Sequence, residues 1–313
     1  MHKLVISIVT WNSAATIKSC LTSVLEQSFS EFDLLIVDNN SSDQTCSIIE
    51  SFTDPRIKLF KLKENTGFAA GHNKNIQNSK SDLVLLVNPD VQLLPQYIHL
   101  ALEAIEKDSK IGTVCGLLLQ EQKSNNESII DSAGMEIKRS RIMELKFHGK
   151  RVCDVQLKGG ELFGSDGALP LYRRSMIDDV SMNGQFFDEM FFAHKEDWDV
   201  AWRSCNFGWK AYFEPLCIAI HPRSFKPQNF KARGEMSKEV KYHAVKNQLL
   251  LLFKNESLSG LFVNFFFIVP RQMMIFAYLL LFETYSLKAY AFVLKNYSKI
   301  MLARKYIQNK KVK

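Results

Sequence analysis

The feature that most constrains this 313-residue chain is a pattern that recurs along its first ninety residues. Near-continuous apolar runs, "LVISIVT", "FDLLIVD", "RIKLFKL" and "LVLLV", alternate with segments in which apolar residues keep helical spacing, such as Ile17, Leu21, Val24 and Leu25. Strands apolar on both faces belong in a parallel sheet covered on both sides. The alternation strand–helix–strand is the signature of right-handed crossovers. We therefore expect strands at about 3–9, 32–37, 56–62 and 82–90, with Ser13 capping the first helix.

Ligands of such sheets bind beyond the carboxyl ends of the strands. Polar residues cluster at those ends: Thr10 and Asn12 after the first strand, Asp38 and Asn39 after the second, and Asn88-Pro89-Asp90 after the fourth. Pro89 fixes its own φ and biases Asn88 away from helix, so the chain turns and presents Asp90. Hard divalent cations such as Mg²⁺ take carboxylate and phosphate oxygens, which suits Asp90. Asn65-Thr66-Gly67 opens the helix that carries Asn73, and Gly67 and Gly71 would permit close backbone approach to a nucleotide. Glu196-Asp197 opens a later helix, where acids complement the dipole and can also supply a general base. That helix should end at Gly208. His221 follows an apolar run, as a metal ligand or as a surface histidine. The middle of the chain, 111–195, is less regular, and "WKAYFEP" and "LCIAIHPRS" read as two short strands.

Charge divides the chain. Residues 221–313 carry 17 Lys and Arg against 4 Asp and Glu, leaving 23 against 29 in residues 1–220. A basic tail faces lipid headgroups or nucleic acid, or is a solvated helix face; the phenylalanine-rich "NFFFIVP" suits lipid better than bases. The apolar run 261–282 is interrupted by Asn264, Pro270, Arg271 and Gln272. Two shorter helices in the membrane interface fit it better than one span; a hairpin buried in a homo-oligomer is the third reading. We expect a catalytic unit over 1–225 and a helical region over 226–313. The six cysteines show no CxxC spacing and read as reduced thiols of a cytoplasmic protein. No GxGxxG follows a strand, against a nicotinamide oxidoreductase, and "TWNSAAT" lacks the basic glycine-rich loop of a nucleotidyltransferase.

The ordered set "VSIVTWN", "IVDNNSSDQT", "NTGFAAGHN", "LLVNPDV", "GSDGALPLYRRS", "FDEMFFAHKEDWDVAWR" and "HPRS" resembles family 2 glycosyltransferases, most nearly the rhamnosyltransferase-like branch. The resemblance spans residues 3–255. It implies a GT-A fold: a mostly parallel central sheet flanked by helices, with a C-terminal helical appendage that associates with membrane. It also implies inverting transfer of a sugar from a nucleotide-diphosphate donor, dTDP-rhamnose or alternatively a UDP-sugar, to a glycan or polyprenyl-diphosphate-linked acceptor. The product would be a cell-surface polysaccharide such as O-antigen or cell wall, made at the inner face of the cell membrane. A non-catalytic nucleotide-sugar-binding protein is a further alternative. By the resemblance, Thr10, Asn12, Asp38, Asn39, Asn65, Gly67, Asn73 and Asn88 line the nucleotide site. Ser165, Asp166, Gly167 and Ala168 face the donor sugar and acceptor. Asp90 and His221 hold Mg²⁺ or Mn²⁺, and Asp197, beside Glu196, is the catalytic base. The chain departs from the family's DxD element at Asn88, which removes one negative charge.

Overall fold

A computed structural model describes residues 4–123, 127–222, 233–234 and 236–312. The expected boundary at 225/226 and the last two residues of "HPRS" lie outside the described residues. In chain order the elements are β1 (Leu4–Thr10), α1 (Ile17–Leu25), β2 (Phe32–Asp38), α2 (Thr45–Glu50), β3 (Ile57–Lys61), α3 (Gly67–Gln77), β4 (Leu83–Val87), β5 (Gln92–Leu93), α4 (Tyr97–Ile105) and β6 (Ile111–Leu119). The irregular middle supplies β7 (Ile130–Ser132), β8 (Met135–Ile137), β9 (Met143–Leu145), β10 (Gly160–Leu162), β11 (Leu171–Arg173) and α5 (Arg174–Val180). Then follow α6 (Glu196–Asn206), β12 (Lys210–Ile220), α7 (Lys238–Asn255), α8 (Leu258–Val263), α9 (Phe265–Phe282), α10 (Lys288–Lys295) and α11 (Tyr297–Lys310).

The main sheet runs β10-β12-β6-β11-β4-β1-β2-β3. The half built from the N-terminal strands, β3-β2-β1-β4, is parallel, as the apolar runs require. β11 is wedged antiparallel between β4 and β6. Every residue of β1 and β4 is buried, because helices cover both faces. One face packs Ile17, Leu21 and Val24 of α1 with Tyr97, Ile98 and Ala101 of α4. The other packs Ile76 of α3 with Ile177, Val180 and Val200 of α5 and α6. Asn75 pins α3 to the sheet, donating to Ser7 Oγ, Ile8 O and Leu35 O at 3.0–3.2 Å.

Three local expectations are corrected. Ser13 does not cap α1 with its side chain; its carbonyl accepts from Thr16 and Ile17 at 3.0 and 2.9 Å, while its hydroxyl turns back on Trp11. The two short strands are one, β12, whose register against β6 shifts between Phe213 and Ile218, around Pro215. A proline lacks the ladder donor, so the strand bulges there rather than ending.

The third correction concerns the basic tail, for which a solvated helix face is one of the expected readings. Lys246, Asn247, Gln248, Lys254 and Asn255 are all buried. Lys254 Nζ reaches Asp188 at 2.6 Å and Asp199 at 3.0 Å, Asn255 donates to Asp199 at 2.8 Å, and Arg203 donates to Asp199 at 2.9 Å. Buried charges persist only when paired, and here α7 and α6 pair each other's. After α7 the chain breaks at Asn264 rather than at Pro270, which lies inside α9. α9 is long and apolar enough to cross a membrane, with 18 residues of mean hydropathy 1.8. It docks on α7 through Ile275 and Leu279 and leaves Phe266, Met273, Leu281 and Phe282 exposed.

Candidate active site

The parallel register sets Thr10 beside Asp38 at the ends of β1 and β2. Thr10 Oγ1 donates to Asp38 Oδ1 at 2.8 Å, and Ser41 donates to the same carboxylate from its amide at 2.9 Å and its hydroxyl at 2.5 Å. Burial alone would raise the Asp38 pKa, yet these hydrogen bonds from Ser41 and Thr10 hold it below the usual carboxylate value. Asn12 takes a left-handed φ of +50° and accepts from Ser42 N at 2.8 Å. The 38–42 turn is thereby a braced, anionic floor at the strand ends.

Asn39 and Asn65 act one step removed. Asn39 accepts from Thr66 N and Oγ1 and donates to Gly67 O, while Asn65 Oδ1 accepts from Gly67 N. Together they fix where α3 begins. The two glycines of this loop face protein rather than an open pocket. A Cβ on Gly67, whose φ is +85°, would meet Phe192 O at 2.5 Å, and one on Gly71 would meet Val9 at 2.8 Å. Asn73 is likewise buried and spent: its amide donates to Phe187 O and Glu189 Oε1 and accepts from Phe187 N. These three positions secure the backbone beside the site.

At the end of β4, Asn88 N donates to Ala168 O at 2.9 Å. One residue earlier in that loop, Gly167 N donates to Asp197 Oδ2 at 2.9 Å, and a Cβ on Gly167 would touch the same carboxylate at 3.4 Å. The Ser165–Ala168 loop thus ties the Asp90 turn to the start of α6. Within it Asp166 is buried and accepts from Ala168 N at 3.0 Å, and Ser165 Oγ donates to Asp166 O at 3.2 Å. Asp197 Oδ1 also accepts from Trp198 N at 2.9 Å. Its neighbour Glu196 is buried, with Oε2 unpartnered among the described residues. Burial, reinforced by the Asp197 charge, pushes the Glu196 pKa far up. Burial therefore disfavours the charged form of Glu196, and the loop's hydrogen bond goes to Asp197.

His221 is not a surface histidine. It is buried, with Nδ1 2.8 Å from Asp131 Oδ2 and Nε2 3.4 Å from Asp90 Oδ1. Burial lowers its pKa, but Asp131 and Asp90 outweigh burial and raise it to about 9. Asp131 is fully buried and went unnoticed in the sequence. The signal was faint: an acid closing "SII", the same apolar-run-then-carboxylate pattern as Asp90, in a stretch without helix–strand rhythm.

The residues fit a divalent cation of one kind. Among the described residues no group of three or more His, Cys, Asp or Glu could hold a metal. Asp90 offers a carboxylate donor, and His221 would offer Nε2 on giving up the proton that Asp131 and Asp90 stabilise; Asp131 on Nδ1 fixes the ring so that Nε2 faces Asp90. Mg²⁺ is commonly bound by one or two side chains together with substrate phosphates and water. The pair suits an ion completed by a diphosphate and would not form a self-sufficient cage.

The segment entering α6 is strained. Phe192, His194 and Lys195 have φ of +65°, +69° and +70°, each costing about 1–2 kcal/mol. Asn247 of α7 holds it, with Nδ2 3.1, 2.9 and 2.5 Å from the carbonyls of Phe191, Ala193 and His194. Lys246 reaches Met190 O at 2.5 Å.

A twisted, mostly parallel sheet with this cluster at its strand ends defines the GT-A class of nucleotide-sugar-binding folds. Solved structures agree on the fold. A mannosyltransferase from Pyrobaculum calidifontis, in complex with GDP-Man and Mn²⁺, matches at TM-score 0.55 and 15% identity over 95% of this chain and 75% of its own. GalNAc-T7 with UDP, GalNAc and Mn²⁺ matches at TM-score 0.60 and 13% identity, over 80% of this chain and 47% of its own. The sequence matches the description "Glycosyl transferase family 2" over residues 5–180, more than half of the chain, and the chain belongs to that family. The poly-beta-1,6-N-acetyl-D-glucosamine synthase of Staphylococcus epidermidis is 25% identical over 219 residues, 68% of this chain and 49% of its own length. The chain spans about half the length, or less, of the curated relatives it matches.

Proposed function

We propose that this chain is an inverting glycosyltransferase that moves a sugar, rhamnose from dTDP-rhamnose, from a nucleotide-diphosphate donor to a glycan or lipid-linked acceptor of a cell-surface polysaccharide. It would act at the inner face of the membrane, with the exposed apolar sides of α8 and α9 in the interface. The observation that carries the reading is the Ser165–Ala168 bridge between the Asp90 turn and Asp197.

In this reading Asp38 and the braced 38–42 turn receive the nucleotide base, with Thr10 and Asn12. Asp90 and His221 would hold Mg²⁺ or Mn²⁺ with the donor diphosphate, supplying Lewis-acid stabilisation of charge on the leaving group. Asp197 takes the proton from the acceptor hydroxyl as that oxygen attacks the anomeric carbon opposite the diphosphate. The Gly167 and Trp198 amides fix the carboxylate's orientation. Positioning of this kind is worth roughly 7–11 kcal/mol in favourable cases. The family, a relative named as a polysaccharide synthase and fold neighbours crystallised with nucleotides and Mn²⁺ support the reading.

A second reading keeps the mechanism and exchanges the donor for a UDP-sugar; a polysaccharide-synthase relative named for N-acetylglucosamine favours it. A screen of binding and hydrolysis across dTDP-, UDP- and GDP-sugars, with and without Mg²⁺ or Mn²⁺, tests both. Metal-dependent hydrolysis of dTDP-rhamnose is expected. Preference for a UDP-sugar would select the second reading, and failure to bind any of them would overturn both.

A further inference from the structure

The bend that leads into α6 has a geometry that the transfer chemistry above does not use. Phe192 has φ +65° and ψ −67°, and Ala193 N donates to Phe191 O at 2.8 Å. This is a γ-turn of the rare form, close to φ of about +75° and ψ of about −65°. The form strains any residue with a Cβ, whereas glycine meets it without penalty. Strained backbone persists only where its surroundings over-determine it, and it gathers at active sites.

The surroundings of Phe192 reach in three directions. Toward α3, Phe192 O accepts from Ala69 N at 3.2 Å. Gly67 makes room for that contact, since a Cβ there would lie 2.5 Å from Phe192 O and 2.7 Å from the ring Cδ2. Toward α7, the Phe192 ring stacks on His243, with centroids 5.4 Å apart and planes 22° apart. His243 Nδ1 is buried with no hydrogen-bond partner among the described residues. Burial, then the charges of Lys246 and His194, lower its pKa to about 4, so the imidazole meets Phe192 as a neutral ring. Along the chain, Lys195 O accepts from Asp199 N at 3.1 Å and opens the helix that carries Asp197.

The α3 end of this contact is tied to the nucleotide floor. Gly67 O accepts from Asn39 Nδ2 at 3.1 Å, and Asn39 follows Asp38 directly. The same first turn of α3 approaches Asp197 by a second route: a Cβ on Gly167 would lie 3.5 Å from Phe68 Cζ and 3.4 Å from the Asp197 carboxylate. Asp38 and Asp197, 159 residues apart in the chain, are thus joined through Asn39, Gly67 and the Phe192 turn.

We infer that Phe192 is a positioning residue that couples the donor side of the site to the base. A nucleotide that orders the 38–42 and 65–69 turns fixes the Phe192 turn against Gly67, and with it the entry to α6 and the Asp197 carboxylate. His243 backs the ring from α7. The inference rests on the glycosyltransferase reading and adds to it the route by which donor occupancy prepares the acceptor side.

The test uses the full chain with dTDP and UDP as probes, in the presence of Mn²⁺. Amide hydrogen exchange, read by mass spectrometry with and without nucleotide, is compared in the wild type, Phe192→Gly, His243→Ala and His243→Phe. Nucleotide affinity by calorimetry and transfer kinetics are measured on the same samples. In the wild type, nucleotide should slow exchange at 38–42, at 65–69 and at 190–198, since exchange reports local opening. Phe192→Gly keeps the turn's dihedrals accessible and removes the ring. It should retain protection at 38–42 and lose it at 190–198, with kcat lowered about 100-fold, as misplaced catalytic groups predict, and nucleotide affinity unchanged. His243→Ala should change both readouts in the same direction, which keeps the test decisive if Phe192→Gly fails to fold. His243→Phe retains the stack and should restore both. Nucleotide-linked protection at 190–198 that survives in Phe192→Gly and His243→Ala would overturn the coupling. So would its absence in a wild type that binds nucleotide, or a kinetic loss confined to donor KM. A wild type that binds neither nucleotide would instead sink the transfer reading, and the coupling with it.

Discussion

Asp131 shows how much one buried carboxylate can decide. Its Oδ2 holds His221 Nδ1 at 2.8 Å and so aims Nε2 at Asp90. Partners of this kind, once removed, typically cost 10–100-fold in metal affinity. Asp131→Asn should therefore raise the Mn²⁺ concentration for half-maximal donor hydrolysis by about that factor while leaving metal-free nucleotide binding intact. An unchanged metal titration would remove Asp131 from the site. The strand-end residues Thr10, Asp38 and Asp90 were legible because a parallel sheet dictates where its ligands lie. Asp131 was not, since it sits on the three-residue strand β7, whose place at the edge of β6 no local spacing announces. Gly67, Gly71 and Asn73 have packing roles that no local spacing announces. Their residue types suit a ligand loop, but only tertiary contacts reveal that Phe192, Val9 and Phe187 occupy the space.

At the scale of elements, the helix–strand units and the helices after β12 were readable from the sequence, but the burial of α7's polar side chains was not. α7 has five buried polar or charged side chains because it serves the strained entry to α6 and the Asp199 network. Asn247→Ala removes the side-chain hydrogen bonds to the carbonyls of Phe191, Ala193 and His194 in that entry. Small misplacements of catalytic groups can cost about 100-fold, so a fall in kcat of that order with donor KM little changed is expected; a fall confined to KM would contradict the positioning role. Asp199→Asn leaves Lys254 and Arg203 short of a counter-charge and should destabilise the fold by about 3–5 kcal/mol, read from urea midpoints. Burial alone would raise the Asp199 pKa, but Lys254, Arg203 and Asn255 hold it below its ordinary value. A depressed carboxylate stabilises fully above its unfolded value, about 3.9, and less as pH falls through the folded value. The wild-type midpoint should consequently fall more steeply than that of Asp199→Asn below about pH 4; parallel curves would refute the coupling.

For the whole molecule, the charge asymmetry of the sequence resolves into two different uses. Part of the excess positive charge is internal, as with Lys246 and Lys254, and part sits beside an exposed apolar face. α11 reaches back to the catalytic half, where Lys310 pairs with Asp179 at 2.7 Å and Ile307 enters the core with Ile177 and Val180. Truncating the tail would therefore damage the fold and confound any membrane assay. Replacing Phe262, Phe266 and Phe282 by serine is cleaner, since all three are exposed. At about 25 cal/mol per Å² of apolar surface, losing three such side chains should release most of the protein from anionic vesicles in a sedimentation assay, with urea stability unchanged. Undiminished sedimentation would place membrane contact elsewhere.

The central claim is that Asp197, tied by Gly167 to the Asp90 turn, is the base that recruits the acceptor hydroxyl. Its most direct measurement compares sugar transfer and donor binding in Asp197→Asn. Transfer should fall by about two to four orders of magnitude with donor affinity nearly unchanged; turnover close to wild type would contradict it.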